Sequence, residues 1–201
     1  MENTENKVKI VDYTIDDSGM LGTSAVSVVD LPAIEVDFVA LKAQKSQFAK
    51  VQDGEKRMLY GPALIPDQLI YRQDENGEPF YIRYSKEVIE RVAHEYLKYN
   101  RQNNVTYMHE FSVAKMSVVE NWIVGTPDKS EQLGFSLPEG TWFIGMKVDN
   151  DEVWNQVKAG AIKGFSIEGF FTELTASYLE EQKVEKLIED FLSELDSAAN
   201  E

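Results

Sequence analysis

The chain has 201 residues, 43% of them hydrophobic, and its 35 acidic against 20 basic side chains give a formal net charge of −15. This apolar share supplies one well-buried core with an appendage, which argues against two full domains. The acidic balance excludes a nucleic-acid surface, because phosphate binding needs clustered Lys and Arg, and it favours basic proteins or assemblies as partners.

The counts of cysteine and histidine limit the chemistry. The chain has no cysteine and two histidines, His94 and His109. Disulfide scaffolding, thiol catalysis and sulfur-ligated zinc are therefore excluded, and a histidine-rich metal site is not expected, so we predict no metal and no cofactor. No apolar run approaches the roughly 18 residues of a membrane span, and the first residues lack a signal pattern. We therefore expect no membrane partner and a protein that stays in the cytosol of the cell that makes it.

The first part of the chain is predicted to be mainly β. Asp16 to Gly19 has the composition of a turn, and Gly61-Pro62 predicts a bulge or a barrel corner inside a strand. Asn76-Gly77 lies between two aromatic-rich runs and predicts a hairpin over residues 69–84. Residues 42–50 fit a helix, a loop or a linker. Apolar runs predict strands over residues 7–13, 24–30, 34–41 and 57–64.

Two helices are predicted further along the chain. Ser85 is the expected N-cap of the first, whose apolar stripe should pack onto a sheet and consists of Val88, Ile89, Val92, Ala93, Tyr96 and Leu97. His94 lies off that stripe and is predicted to be a surface residue without a role. The second helix covers residues 149–158, with Asp149 and Glu152 at capping-box spacing and Gly160 at its left-handed end.

Three strands are expected between the two helices, and a long glycine-punctuated run follows the second helix. Short apolar segments predict strands over residues 105–109, 116–124 and 140–148, the first of which ends at His109. The run from Gly160 to Phe171 then predicts the strand around which the chain is organised. Its period of two places Ser166 and Glu168 on one face. A solvated face is the plain interpretation of such a pair, but Gly164 and Gly169 indicate a place where another backbone or a ligand comes close.

From about residue 177 the composition changes. A narrow apolar seam recurs at helical spacing between many acidic side chains, and its members are Val184, Leu187, Ile188, Phe191 and Leu195. The plain interpretation is an amphipathic helix that covers the sheet or its own partner. The sharper one is an interaction or propeptide segment joined to scaffold-like coiled-coil partners. We therefore divide the chain into a domain over residues 1–176 and an acidic helical tail over residues 177–201.

The residues alone also permit a serine-based site. Serine becomes a strong nucleophile only when a base removes its proton and a third group orients that base. Ser166, His109 and the strand carboxylates Glu120 and Glu168 are the available groups. The plain alternatives are a buried structural histidine and a solvent-facing Glu120. Spacing alone does not decide between these interpretations.

Six segments, in this order, resemble one family, the XkdF-type serine proteases of tailed phages, which are related to prohead maturation proteases and more distantly to herpesvirus assemblin. The segments together span roughly residues 26 to 171, and they are residues 28–35, 60–67, 104–110, 119–124, 140–148 and 164–169, the last being Gly-Phe-Ser-Ile-Glu-Gly. The resemblance implies an α+β, mainly β fold: a mostly antiparallel, assemblin-like β-barrel flanked by helices, here with an acidic C-terminal helix.

The same resemblance implies roles for particular residues. His109 would be the general base and Ser166 the nucleophile. Glu120 is the first choice for the acid, since its strand follows that of the histidine and is expected beside it. Glu168 is the second, because it shares the face of Ser166 but is expected to lie too close along the strand to reach across the histidine. In the related prohead proteases an acid begins a strand that follows the serine. In this chain the similar strand precedes the serine. Ala25 occupies the position of that acid, and Asp30 is a remote substitute for it.

The implied function is a serine endopeptidase of phage or prophage origin. It would process scaffold and capsid or portal proteins in the host cytoplasm, inside the assembling procapsid, and dimerise or form a higher oligomer as its assemblin relatives suggest. The alternative from another class is a catalytically inactive module that binds scaffold or capsid proteins during assembly.

Overall fold

The computed structural model describes residues 9–16, 18, 20–32 and 56–176, together with residues 180, 183, 184, 187, 188, 191 and 192 of the tail. Within these ranges the chain forms eleven strands, two α-helices and two short 3-10 turns. The strand predicted over residues 34–41 and the segment 42–50 lie outside the described residues.

Nine of the eleven strands agree with the predicted runs to within a few residues, and the two-residue strands over 111–112 and 172–173 were not predicted. They are β1 Lys9–Thr14, β2 Gly22–Val29, β3 Met58–Leu64, β4 Ile70–Gln73, β5 Pro79–Arg83, β6 Val105–Tyr107, β7 Phe111–Ser112, β8 Met116–Ile123, β9 Trp142–Val148, β10 Gly164–Phe170 and β11 Thr172–Glu173. The helices are α1 Lys86–Lys98 and α2 Asp151–Lys158, and the 3-10 turns are Arg101–Asn103 and Lys129–Leu133. The predicted hairpin is β4 and β5, and the ladder of β3 shifts register beside Pro62, as expected for a bulge.

The strands form three sheets, in the orders β11-β1-β5-β4, β10-β2-β6-β7 and β3-β9-β8. The α+β, mainly β class is therefore confirmed. The closed barrel implied by the resemblance is not observed in the described part of the chain, where all three sheets are open. Barrel closure needs an unbroken ring of hydrogen-bonded neighbours, and here β10 approaches β3 through side-chain packing: a Cβ on Gly61 would lie 3.4 Å from the ring of Phe165.

Helix α1 covers the core between the sheets. Ser85 is its N-cap and accepts a hydrogen bond from the Val88 amide, as predicted. Five of the six stripe residues are buried, and Tyr96 contacts the core residue Trp142 at 5.3 Å between ring centroids. Leu97 is the exception, 42% exposed at the end of the helix. His94 is exposed, in agreement with its predicted surface position.

Helix α2 begins one residue later than the capping-box spacing predicts. Asn150, not Asp149, is the N-cap, and its side chain accepts a hydrogen bond from the Val153 amide. The Asp149 amide donates to the Lys115 carbonyl and extends the β8–β9 ladder by one residue, so it is not available for the reciprocal capping-box bond to Glu152. Gly160 has φ +73° just after the helix, as predicted.

Two glycines of β10 meet other parts of the chain at very short range. A Cβ on Gly169 would lie 2.1 Å from the carbonyl oxygen of Gly22, and one on Gly164 would lie 2.7 Å from the Pro32 ring. The register of β2 against β10 shifts at this point, between Glu168 and Gly169. The glycines therefore allow the close approach of another backbone and of a proline ring, as the sequence pattern indicates.

Replacing Gly169 by alanine is expected to destabilise the protein by about 1–3 kcal/mol, because the new methyl overlaps backbone atoms that belong to a paired strand. Gly125→Ala is the matched control, since a Cβ there meets no atom within 4 Å. The measurement is the urea midpoint of unfolding. Equal midpoints for the two variants would contradict this explanation of Gly169.

The described tail residues have helical backbone but do not cover a sheet. Val184, Leu187, Ile188 and Phe191 of the predicted seam are 54–68% exposed. The interpretation of a helix packed on the sheet is therefore wrong for these four residues, while Leu195 lies outside the described residues. The division of the chain at residue 177 stays a prediction. A search of the described helices for one long and apolar enough to cross a bilayer finds none.

Candidate active site

A row of hydroxyl side chains crosses the sheet that contains β10. Ser166 on β10 lies opposite Ser27 on β2, and Ser27 lies opposite Thr106 on β6. Paired residues of adjacent strands point to the same face of a sheet, so the three hydroxyls share one face. Phe165 points to the other face and is part of the hydrophobic core. The plain interpretation of a solvated polar face is wrong here, because Ser166 is 3% exposed and Ser27 is fully buried.

His109 reaches this face because the chain reverses directly after β6. Met108 and His109 have φ of 50° and 61°, in the left-handed region that few non-glycine residues adopt. The Met108 amide donates to the Val28 carbonyl at 3.0 Å, and the His109 amide donates to Ser27 Oγ at 3.0 Å. The turn over residues 108–110 is thereby tied to β2 at two successive residues.

The imidazole of His109 contacts the carboxylate of Glu168. Nδ1 of His109 lies 3.0 Å from Oε1 of Glu168, and the same oxygen accepts a hydrogen bond from Thr106 Oγ1. The side chains of His109 and Glu168 are 42% and 30% exposed. A carboxylate on Nδ1 holds the ring in the tautomer whose Nε2 is free to accept a proton. The pair is therefore arranged as an oriented base.

The distance between Glu168 and Ser166 along β10 is large enough for one imidazole ring to hydrogen-bond to both side chains. Two residues of a strand span about 7 Å. An imidazole with a hydrogen bond of about 2.8 Å at each nitrogen bridges a gap of that order. The expectation that Glu168 is too close along the strand to serve the histidine is therefore not supported by this geometry.

Ser166 and Ser27 differ in how their hydroxyls are used. Ser27 Oγ accepts the His109 amide and lies 3.5 Å from the Thr106 carbonyl. Ser166 Oγ makes no hydrogen bond to another described residue, and in this conformation it is not bonded to His109. Catalytic hydrogen bonds are often long before substrate binds. Of the two buried serines, Ser166 has the hydroxyl that is available for chemistry.

Glu120 lies elsewhere in the fold. Its carboxylate accepts hydrogen bonds from the Tyr60 hydroxyl at 2.6 Å and from Lys129 Nζ at 3.2 Å. Burial, followed by the hydrogen bond and the negative charge of Glu120, raises the pKa of Tyr60 to about 12. Tyr60 and Glu120 face away from the core side of the β3-β9-β8 sheet, since the adjacent Gly61 meets Phe165. The structure therefore brings Glu168, and not Glu120, to His109.

Ala25 lies beside the carboxylate that contacts His109. Ala25 on β2 pairs directly with Glu168 on β10. The position where the resemblance implies an acid is therefore adjacent to Glu168 on the neighbouring strand. Asp30 comes after the end of β2, where its amide contacts Met108 Sδ at 3.4 Å.

Ser27 and Thr106 were not singled out from the sequence. Each is a small polar residue inside an apolar strand, which is the same signal that drew attention to Ser166. Their strands are distant in sequence from β10, and only the pairing of β2 between β10 and β6 brings them together. In the described part of the chain no group of three or more His, Asp or Glu residues is arranged to hold a metal ion.

The family comparison and one of the two relatives below carry the same name, XkdF. Residues 45–176 match a family described as "Putative phage serine protease XkdF". The phage-like element PBSX protein XkdF of Bacillus subtilis strain 168 is 30% identical over 171 residues, which is 81% of this chain and 56% of that protein. The uncharacterized protein YqbD of the same strain is 31% identical over 166 residues, 79% of this chain and 46% of that protein. The chain thus spans about half the length of these relatives. No solved structure matches.

Proposed function

This chain belongs to the XkdF family of phage serine proteases, and on that premise we propose that it is a serine endopeptidase with Ser166 as nucleophile, His109 as general base and Glu168 as the acid that orients the base. The observation that carries the proposal is the 3.0 Å contact of His109 Nδ1 with Glu168, on the same face of the sheet as Ser166, whose hydroxyl bonds to no other described residue. Glu120 has no part in this assignment.

The proposed reaction has two steps. Nε2 of His109 takes the proton of Ser166 while Oγ attacks the peptide carbonyl, and backbone amides stabilise the oxyanion. His109 then gives that proton to the leaving amine, the C–N bond breaks, and an ester forms on Ser166. Water attacks the ester with His109 again as base, and the proton returns to Oγ as the C–O bond breaks. Glu168 keeps the proton of Nδ1 in place throughout.

The substrates that we propose are the scaffold and the capsid or portal proteins of a phage, cut inside an assembling procapsid in the host cytoplasm. The name of the PBSX relative and the family description support a phage context. The net charge of −15 favours basic segments of such partners. We further propose an assemblin-like arrangement in which side-chain packing of β10 on β3 takes the place of a closing ladder, and assembly into a dimer or higher oligomer.

A fluorophosphonate probe tests the proposed function, because it forms a covalent bond only with an activated serine. We expect mass spectrometry of the digested protein to place the label on Ser166 and not on Ser27. The two serines are cross-strand neighbours and equally buried, so Ser27 is an internal control. Label on Ser27, or no label on Ser166 after prolonged incubation, would contradict the proposal.

One observation favours the rival function, which is that of a catalytically inactive assembly module. Ser166 is only 3% exposed, so its neighbours must move before a peptide reaches it. The rival predicts that scaffold or capsid proteins bind the chain without being cut. Copurification of intact partners, together with the absence of label on Ser166, would favour the rival over the protease.

A further inference from the structure

We infer that Ser27 and Thr106 are positioning residues of this site, Ser27 for the backbone of His109 and Thr106 for the carboxylate of Glu168. The inference rests on the proposed function for its catalytic meaning. Neither residue touches the reacting atoms in the proposed reaction, and each acts through a residue that does. Ser27 also lies outside the part of the chain that matches the family, residues 45–176.

The role of Ser27 follows from the strained turn that presents the histidine. His109 is a non-glycine residue at φ 61°, a left-handed conformation that is unfavourable for L side chains and persists only where other contacts hold it. Its amide has one hydrogen bond, to Ser27 Oγ at 3.0 Å. Ser27 is fully buried, so water cannot replace that acceptor without a change in packing. Ser27 therefore fixes the point from which the imidazole extends.

The role of Thr106 follows from the shared oxygen of Glu168. Oε1 of Glu168 accepts from Thr106 and contacts His109 Nδ1, so one oxygen is held from two sides. The Glu168 side chain is 30% exposed and would otherwise exchange among several rotamers in water. The hydroxyl of Ser24, a residue of β2, donates to the Glu168 carbonyl at 3.1 Å and holds the backbone. Thr106 is the contact that orients the carboxylate itself.

The test for Thr106 compares Thr106→Val, which keeps the shape but removes the hydroxyl, with Thr106→Ser, which keeps the hydroxyl. Ser112→Ala is the matched control, because Ser112 pairs with Thr106 on the outer side, is exposed, and has no described contact with His109 or Glu168. We expect the rate of Ser166 labelling to fall on the order of tenfold to a hundredfold in Thr106→Val. Thr106→Ser and Ser112→Ala should retain the rate of the unchanged protein.

Nitrogen NMR of the two imidazoles gives a readout that a merely structural role would not move. At a pH where histidine is neutral, we expect His109 to populate the Nδ1–H tautomer in the unchanged protein and in Thr106→Ser, and both tautomers in Thr106→Val. His94, exposed on α1, is the internal reference and should not change. An unaltered His109 tautomer in Thr106→Val would overturn the role of Thr106.

For Ser27, the readout is the exchange of the His109 amide with deuterium in Ser27→Ala. We expect exchange roughly tenfold faster, since one hydrogen bond is worth about that factor in a local opening equilibrium, and a labelling rate lowered to a similar degree. The His94 amide should be unaffected. Unchanged exchange at His109 would overturn the role of Ser27.

The outcomes separate this inference from the proposed function. Label on Ser166 at equal rates in all variants, with unchanged NMR signals, would leave the protease standing and remove the positioning roles. Absence of label in the unchanged protein would remove the protease, while the tautomer and exchange measurements would still decide whether Ser27 and Thr106 hold His109 and Glu168, because neither measurement depends on turnover.

Discussion

Replacing Ser166 by alanine is expected to abolish proteolysis and leave the fold intact. Loss of a nucleophile or of its base lowers kcat by about 10⁶-fold in serine proteases that use such a unit. His109→Gln should have an effect of the same order, since without the base the hydroxyl keeps its proton. The measurement is processing of the structural proteins of the same phage, co-expressed with each variant and followed by intact-mass spectrometry.

Matched controls make this result specific. Ser117→Ala removes a hydroxyl from β8, where its contact is Asn103, and His94→Gln removes the exposed histidine of α1. Both should process substrates like the unchanged protein. The two inactive variants should unfold at the same urea concentration as their controls to within a small shift. Continued cleavage by Ser166→Ala would end the protease proposal.

The second large effect is expected to distinguish the two carboxylates. Glu168→Gln should lower the rate about 10⁴-fold, the loss seen when the acid that orients a catalytic histidine becomes an amide. The amide has nearly the shape of the acid but loses the charge that stabilises an imidazolium. Glu120→Gln should process substrates at the rate of the unchanged protein, because its contacts are Tyr60 and Lys129.

In Glu120→Gln, the pKa of Tyr60 reports independently that the negative charge has been removed. The negative charge of Glu120 disfavours the phenolate of Tyr60, so its removal should lower the pKa of Tyr60 from about 12 toward the usual value. Burial of the phenol remains and keeps part of the shift. Ultraviolet titration of the tyrosines measures this change. Loss of activity in Glu120→Gln with full activity in Glu168→Gln would reverse the assignment of the acid.

Local structure could be predicted wherever the residues that determine it lie close together in the sequence. The Ser85 cap, the β4–β5 turn and the apolar runs of β2 and β10 each depend on neighbours in sequence, and the structure agrees with them. The N-cap of α2 differs from the prediction where the β8–β9 ladder extends to Asp149, whose amide donates to the carbonyl of Lys115 in a distant segment. The open sheets differ from the implied barrel for a similar reason, since closure depends on the pairing of strands far apart in the chain.

In the candidate site, too, the sequence predicts what depends on local segments and misses what depends on the pairing of distant strands. Ser166 and His109 could be named from their segments and from the family resemblance. For the acid, the sequence favoured Glu120, whereas Glu168 contacts His109, because this contact depends on which strand borders β2 and on the reversed turn at His109. Ser27 and Thr106 have no signal beyond being polar in apolar strands. What joins all these residues is the order β10-β2-β6, which no local pattern contains.

The most direct test of the central claim is a crystal structure of the protein with the fluorophosphonate bound. We expect the phosphorus on Ser166 Oγ, the Nε2 atom of His109 within hydrogen-bond distance of that oxygen, and Glu168 still on Nδ1. A structure in which His109 stays on Glu168 but its Nε2 points away from the labelled serine, or in which another residue carries the label, would contradict the account.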